Sequence, residues 1–307
     1  MRTRIAVAAF ALLLSLSACG ANDDPLSKDT TTGSSSAPGS ITIGSANFAE
    51  SELLGEIYAQ ALEAKGVTVK RQFNIGAREL YLKALQDGSI DLLPEYNGAL
   101  LSALAKGGAP AGVSKPEDVL TELKKVLPSG TEVLEQSAAE DKDTLTVTAA
   151  TAAKYNLKSI ADLTPVASKL SIGAGPEWQE RYQGLKGLKE LYNIQFKTFK
   201  PLDAGGPLTV NALVKGQIDV GNIFSTDSSI ATNKFVVLDD PKNLYLAENI
   251  LPLIRTAANS PTVSGALNAV SAKLTTENLT TYLAKVQVDK QDTAAVAKAF
   301  LTENGLA

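Results

Sequence analysis

The apolar positions of this chain change rhythm repeatedly between the period of a strand and the period of a helix. Residues 41–44 form a short apolar run that predicts a strand. Leu53, Leu54, Ile57, Tyr58, Ala61 and Leu62 then fall at helical spacing and make one apolar face. Asn47 is placed to cap that helix, with Glu50 three residues on as its reciprocal partner, and Gly66 to end it. Residues 67–73 alternate as a strand, 77–86 read as a second helix closed by Gly88, and 90–93 return as a buried strand. The same succession recurs downstream: a strand at 170–173, a helix opened by Pro176, a strand at 194–199, a helix through Leu213 and a strand at Ile218. Near the C-terminus Thr275-Thr276 can cap a helix carrying Leu279, Tyr282, Leu283 and Val286. Asp292-Thr293 opens another that stops before Gly305. Strands alternating with helices predict an α/β fold with mainly parallel sheets.

The recurrence extends to the residues themselves. Ala84-Leu85-Gln86-Asp87-Gly88-Ser89-Ile90-Asp91 is echoed by Ala212-Leu213-Val214-Lys215-Gly216-Gln217-Ile218-Asp219. Thr42-Ile43-Gly44-Ser45 is echoed by Ser171-Ile172-Gly173-Ala174 at nearly the same offset. Two matches at one offset predict a duplicated unit, and hence two similar lobes. In parallel α/β sheets ligands bind beyond the C-terminal strand ends, where helix N-termini present free N–H groups. That places Ser45-Ala46-Asn47-Phe48 and Gly175-Pro176-Glu177-Trp178 at matched rims. Tyr96 and Phe224 follow the repeated Ala-Leu pairs at one common distance, so each lobe offers an aromatic ring just past its last strand. Both rings fit a core position as well as a ligand-facing one.

The N-terminus changes the picture. Arg2 and Arg4 precede an apolar run over 5–16, followed by Leu16-Ser17-Ala18-Cys19. This pattern is that of a secretory signal peptide, 1–18, and the run is shorter than the roughly 20 residues a permanent span requires. Leu-Ser-Ala-Cys resembles a bacterial lipobox, which makes Cys19 the expected lipidated N-terminus of the mature chain. Cys19 is the single cysteine, so no disulfide can form within one molecule. Residues 19–40 are nearly free of large apolar side chains and read as a flexible tether.

Composition removes several chemistries. The chain has no histidine and one cysteine, which excludes zinc sites built from those ligands and leaves acid–base work to carboxylates or lysines. A formal net charge of −4 carries no polyanion-binding signature, so nucleic acid is not an expected partner. No cofactor is expected. About 270 residues beyond the tether suit two lobes in a monomer.

The stretches GSANFAESELLGEIYAQALEAKG, NIGARELYLKALQDGSIDLLPEYNGALL, FSTDSSI and the tail AFLTENGLA are similar to the glycine betaine/choline/carnitine substrate-binding proteins of osmoprotectant ABC importers. The resemblance runs from Ile41 to Ala307. It implies a two-lobed α/β fold, the type II periplasmic-binding-protein or Venus-flytrap architecture, with the ligand clamped between lobes and permease and ATPase subunits as partners. By that analogy lobe one comprises 41–144 with 249–307, and lobe two 145–248. An extracytoplasmic, membrane-anchored lipoprotein follows. Such proteins cage a quaternary ammonium with aromatic faces, because that group has no N–H to donate. Tyr96 matches one cage position and Phe224 another; Arg181 matches a position that can grip a ligand carboxylate. Asn47, Asn97, Trp178, Thr226 and Glu248 complete the expected ligand-binding set.

Departures from the pattern keep the ligand open. The family's Asn-Thr-Tyr near the first hinge crossing is Asp143-Thr144-Leu145 here, a tyrosine near the second is Glu248, and the lysine after the first strand's Gly-Ser is Ala46. Tyr245 is an alternative ring at the second crossing. Either Glu248 faces a choline- or betaine-like cation directly, or the thinned cage takes a larger aromatic or polyhydroxylated solute. A sensory receptor with the same clamp is a further reading. An enzyme using Asp227 and Glu248 is the remaining one, poorly supported without histidine or a nucleophile motif.

Overall fold

The computed structural model describes residues 39–105 and 108–307. Among them, two five-stranded sheets organise the chain. The first contains β1 (Ser40–Ala46), β2 (Thr68–Gly76), β3 (Leu92–Tyr96), β4 (Thr131–Val133) and β10 (Ile250–Arg255) in the order β2-β1-β3-β10-β4. The second contains β5 (Asp143–Val147), β6 (Ser171–Ala174), β7 (Thr198–Pro201), β8 (Val220–Phe224) and β9 (Val236–Val237) in the order β7-β6-β8-β5-β9. The two orders are the same path drawn twice.

Each sheet has a parallel βαβ centre, with β1 between β2 and β3 and β6 between β7 and β8. The sheets are mixed rather than mainly parallel, because β10 and β5 pair antiparallel with β3 and β8. These two strands enter from the opposite lobe at the chain crossings. They come without the helical crossover that would enforce a parallel partner.

The duplication predicted from short echoes is built into the hydrogen bonding. Asp91 accepts from the Thr42 backbone N–H at 2.9 Å, and Asp219 accepts from the Ser171 N–H at 2.7 Å. Each aspartate thus ties the start of a central strand to the loop before its neighbour. Gly44 and Gly173 are equivalent too. A β-carbon at either would press on an isoleucine methyl, of Ile90 or Ile218, at 2.7 Å, so the central strand stays bare where the side chain from the loop lies over it.

The predicted helical face of Ala49–Glu63 is buried as expected, with Leu53, Leu54, Ile57 and Leu62 in the first lobe's core. Helices Thr276–Gln287 and Thr293–Glu303 pack on it, capped by the Thr275 and Asp292 side chains. Gly88 closes helix Arg78–Asp87 in the left-handed region at φ 83°, the conformation glycine adopts without steric cost.

Two local expectations fail. Asn47 does not cap the first helix: the N-cap is Phe48, with no side-chain cap bond, and Glu50 is engaged elsewhere. The helix expected from Pro176 is broken into a 3₁₀ turn (Pro176–Gln179), a wide turn (Tyr182–Lys186) and a short helix, Gly187–Tyr192. Gly184 is non-helical in the middle of this run, and a β-carbon there would collide with the Trp178 carbonyl oxygen. No helix among the described residues is long and apolar enough to cross a membrane. The expected signal peptide 1–18, the expected lipidation site Cys19 and the expected tether up to residue 38 lie outside the described residues.

Candidate functional site

Beyond the C-terminal ends of the central strands lies a cleft of about 580 Å³, counting space open to solvent. Strand order places it there: Ala46 ends β1, Tyr96 ends β3 and Phe224 ends β8, and all three line it. Tyr96 and Phe224, the matched rings of the two lobes, therefore share one crevice. Phe48 joins them, with ring centroids 6.1 Å from Tyr96 and 4.9 Å from Phe224. Phe48 was visible in the sequence only as a rim residue. It is the N-cap residue of helix Ala49–Glu63, and its ring lies between the first lobe's core and the cleft.

Under the rings sits a group of buried acids. Glu50, in the first turn of its helix, accepts from the Tyr96 hydroxyl at 2.7 Å and from Thr226 Oγ1 at 2.6 Å. Burial pushes the Glu50 carboxyl up, and burial together with the Glu50 charge pushes Asp141 well above the usual carboxylate range. Asp141 in turn accepts from the Thr226 N–H at 3.0 Å and the Ser225 hydroxyl at 3.1 Å. Glu248 accepts from the Gln183 amide at 2.6 Å, and burial followed by repulsion from Asp143 pushes it well up. Asp143 receives the Asn222 amide at 2.7 Å.

The two cleft arginines are already committed. Arg78 makes a two-pronged bond to the fully buried Glu95, at 2.8 and 3.1 Å, and Tyr81 donates to the same carboxylate at 2.7 Å. Arg181 reaches across to Glu79 on helix Arg78–Asp87, with Nε and Nη2 at 3.0 and 2.9 Å from its two oxygens. The closed lobes are also joined by Gln287, whose amide donates to Asp227 at 2.9 Å and accepts from the Ser228 hydroxyl at 3.0 Å.

The expected site residues divide accordingly. Asn47, Tyr96, Trp178, Arg181, Phe224 and Glu248 line the cleft. Asn97 does not: it is wholly buried at the crossing, where its oxygen accepts from the Gly98 and Asn249 N–H groups and its amide donates to Gln136. Thr226 is not on the lining either, and acts through Glu50. Tyr245 is buried off the lining with its hydroxyl unpartnered. Asp227 caps Ser229 and holds Gln287 and makes no bond to Glu248, so the carboxylate pair of an enzyme is not assembled. Sequence reading missed Phe48, Glu50, Arg78, Asp141 and Asp143 as site residues. Asp141 and Asp143 sit at the first chain crossing, where the family pattern predicts aromatics and this chain carries acids instead.

Two α/β lobes of the same topology enclosing a ring-lined, acidic cleft define a two-lobed solute-binding protein. The particular family follows from comparison. The family model described as the substrate binding domain of ABC-type glycine betaine transport systems matches residues 39–303, and the chain belongs to that family. It is similar to the carnitine transport binding protein OpuCC of Listeria monocytogenes, 26% identical over 272 residues covering 86% of each chain. It is also similar to the glycine betaine-binding protein YehZ of Escherichia coli, 26% identical over 281 residues, 86% of this chain and 90% of that one. A crystal structure titled as a glycine betaine/carnitine/choline ABC transporter superposes with TM-score 0.66 at 22% identity, over 87% of this chain and 99% of that one. A choline-binding protein in complex with choline gives 0.65 at 16% identity, over 87% and 89%. These likenesses establish the type II periplasmic-binding-protein fold. The protein is thus an extracytoplasmic substrate-binding component that works with permease and ATPase subunits of an ABC importer, and not an enzyme.

Proposed function

We propose that the protein captures a quaternary-ammonium solute between its lobes and delivers it, in the closed form, to its permease. The observation that carries this is the convergence of Phe48, Tyr96 and Phe224, drawn from both lobes, above carboxylates, where the two arginines on the lining are each already paired with another acid. Aromatic faces attract a cation that has no hydrogen bond to give, each by about 0.5–2 kcal/mol when desolvated. The relatives named for carnitine and glycine betaine support the same class. Closure turns about the two chain crossings, near 144/145 and 248/249, with 41–144 plus 249–307 moving against 145–248. Asn47 closes the rim.

Calorimetric titration with choline, glycine betaine and carnitine tests this directly, with the neutral carbon isostere of choline as control. Binding of at least one of the three and rejection of the isostere is the expected result; silence from all three removes the proposal. Tyr96→Ala weakens binding by about tenfold or more, and unchanged affinity takes Tyr96 out of the site.

A second reading is favoured by one observation. Trp178 lines the cleft and its indole N–H is buried without a partner. A trimethylammonium group cannot accept that hydrogen bond, whereas an aromatic or polyhydroxylated solute can. A thermal-shift screen of such solutes, with the Trp178→Phe variant alongside, separates the two.

The chain is further proposed to reach the membrane as a lipoprotein: cleavage after 1–18, acylation of Cys19, and a tether over 19–40 carrying a monomeric binding domain. Cys19→Ser then moves the protein from the membrane fraction to the soluble one. Retention in the membrane fraction would sink this.

A further inference from the structure

The cleft is unbalanced in charge. Asp141, Asp143, Glu177 and Glu248 line it, and its two guanidinium groups are held by acids from outside that set: Arg78 by Glu95, and Arg181 by Glu79. The second pairing is unlike the first. Arg78 and Glu95 are both buried on neighbouring elements of one lobe, a fixed structural pair. Glu79 is exposed, belongs to the opposite lobe from Arg181, and meets it only where the two rims come together. A two-pronged carboxylate takes one of the two paired N–H edges of a guanidinium, as Glu56 and Glu63 take the two edges of Arg71. While Glu79 is there, the Nε/Nη2 edge of Arg181 is taken and its charge is offset, and its remaining Nη1 lies 3.9 Å from Glu177, another acid.

We propose that Glu79 is a specificity-determining residue: by occupying Arg181 in the closed cleft it makes the site select a net cation, a quaternary ammonium alcohol, over a zwitterion whose own carboxylate would need that arginine. This rests on the quaternary-ammonium reading above and deepens it. A zwitterion entering the cleft brings its carboxylate among four acids, with both arginines already paired to acids. It meets repulsion, or the outer edge of a guanidinium whose charge Glu79 and Glu177 already offset, or it displaces Glu79 and loses the bond that closes the rim. A cation without a carboxylate meets neither obstacle and offsets the repulsion between Glu248 and Asp143. The selectivity is therefore built from exclusion as much as attraction.

The experiment is the ratio of two dissociation constants, choline against glycine betaine, measured by calorimetry on the purified mature domain, its Glu79→Gln variant, and the double variant Glu79→Gln/Arg181→Met. Glu79 is exposed, so folding is not at stake, and a thermal melt of each variant checks it. The unmodified protein is expected to favour choline by about tenfold or more. Glu79→Gln is expected to narrow that ratio severalfold, because Arg181 is released to receive the betaine carboxylate. Removing Arg181 as well is expected to restore the original ratio. If Glu79 acts only as a mechanical latch, both ligands weaken equally, the ratio stays put, and the proposal is overturned while the quaternary-ammonium reading stands. Glycine betaine binding the unmodified protein as tightly as choline, or more tightly, overturns it in the same way. Failure of both ligands on every variant overturns this proposal together with the reading it rests on.

Discussion

Thr226 and Glu50 lie 176 positions apart and on opposite lobes, yet the Thr226 hydroxyl donates to the buried Glu50 carboxylate at 2.6 Å. The bond joins the two lobes directly, so it is expected to contribute to their closure rather than to the folding of either one. A hydrogen bond to a charged group is worth about 1.5–3 kcal/mol. Thr226→Val keeps the shape and deletes the donor. Ligand affinity is expected to fall by about tenfold to a hundredfold, with the melting temperature of the ligand-free protein nearly unchanged. Calorimetry and a thermal melt read the two quantities; a large fall in the melting temperature would show that the bond holds the fold instead.

The ring cluster separates a cation–π site from a greasy one. Phe224→Leu preserves most of the apolar area at the end of β8 and removes the π face. If the ligand is a quaternary ammonium, this change costs about 0.5–2 kcal/mol of binding. The neutral isostere, should it bind at all, is unaffected. Parallel titrations of the variant with both compounds decide it, and equal losses for the two would argue for simple packing.

Much of the frame was legible because it is repeated. The echo of Ile90-Asp91 in Ile218-Asp219 encoded two equivalent strand starts, and the common spacing to Tyr96 and Phe224 located the rings at equivalent strand ends. What could not be read was set by contacts between distant segments. Glu50 looks like a helix-capping acid until the lobes close on it. Arg181 looks like a free ligand grip until Glu79, 102 positions away, takes it up. Local pattern also failed at Gly184, where close approach to the Trp178 backbone, invisible in any window of sequence, breaks the expected helix.

The Arg78–Glu95 pair, with Arg78 in the wall of the cleft, has almost no exposure, and Tyr81 and the Tyr96 N–H complete the carboxylate's hydrogen bonding. Removing one member leaves the other charged and buried. Arg78→Met is expected to destabilise the protein by about 3–5 kcal/mol, measured by denaturant unfolding. The double change Arg78→Met/Glu95→Gln should recover a good part of that loss, since no uncompensated charge remains. No recovery would mean the cost lies in packing around the methionine and not in the orphaned carboxylate.

Asp141 links pH to both stability and binding. Burial, reinforced by the Glu50 charge, raises its carboxyl well above the ordinary value near 3.8, so the folded protein holds a proton that the unfolded chain has already released. Stability from such a group is fully present below the unfolded value and drains away as pH climbs through the folded one; each unit of upward shift is worth about 1.4 kcal/mol. Asp141→Asn makes the proton permanent. Its oxygen still accepts from the Thr226 N–H and the Ser225 hydroxyl. The variant is therefore expected to match the parent near pH 4 and to exceed it increasingly toward pH 8 in a series of thermal melts. The same change deletes a negative charge from the cleft lining, so cation affinity should drop in the very conditions where stability rises. A stability difference that is flat across that pH range would show that the folded protein does not hold Asp141 protonated.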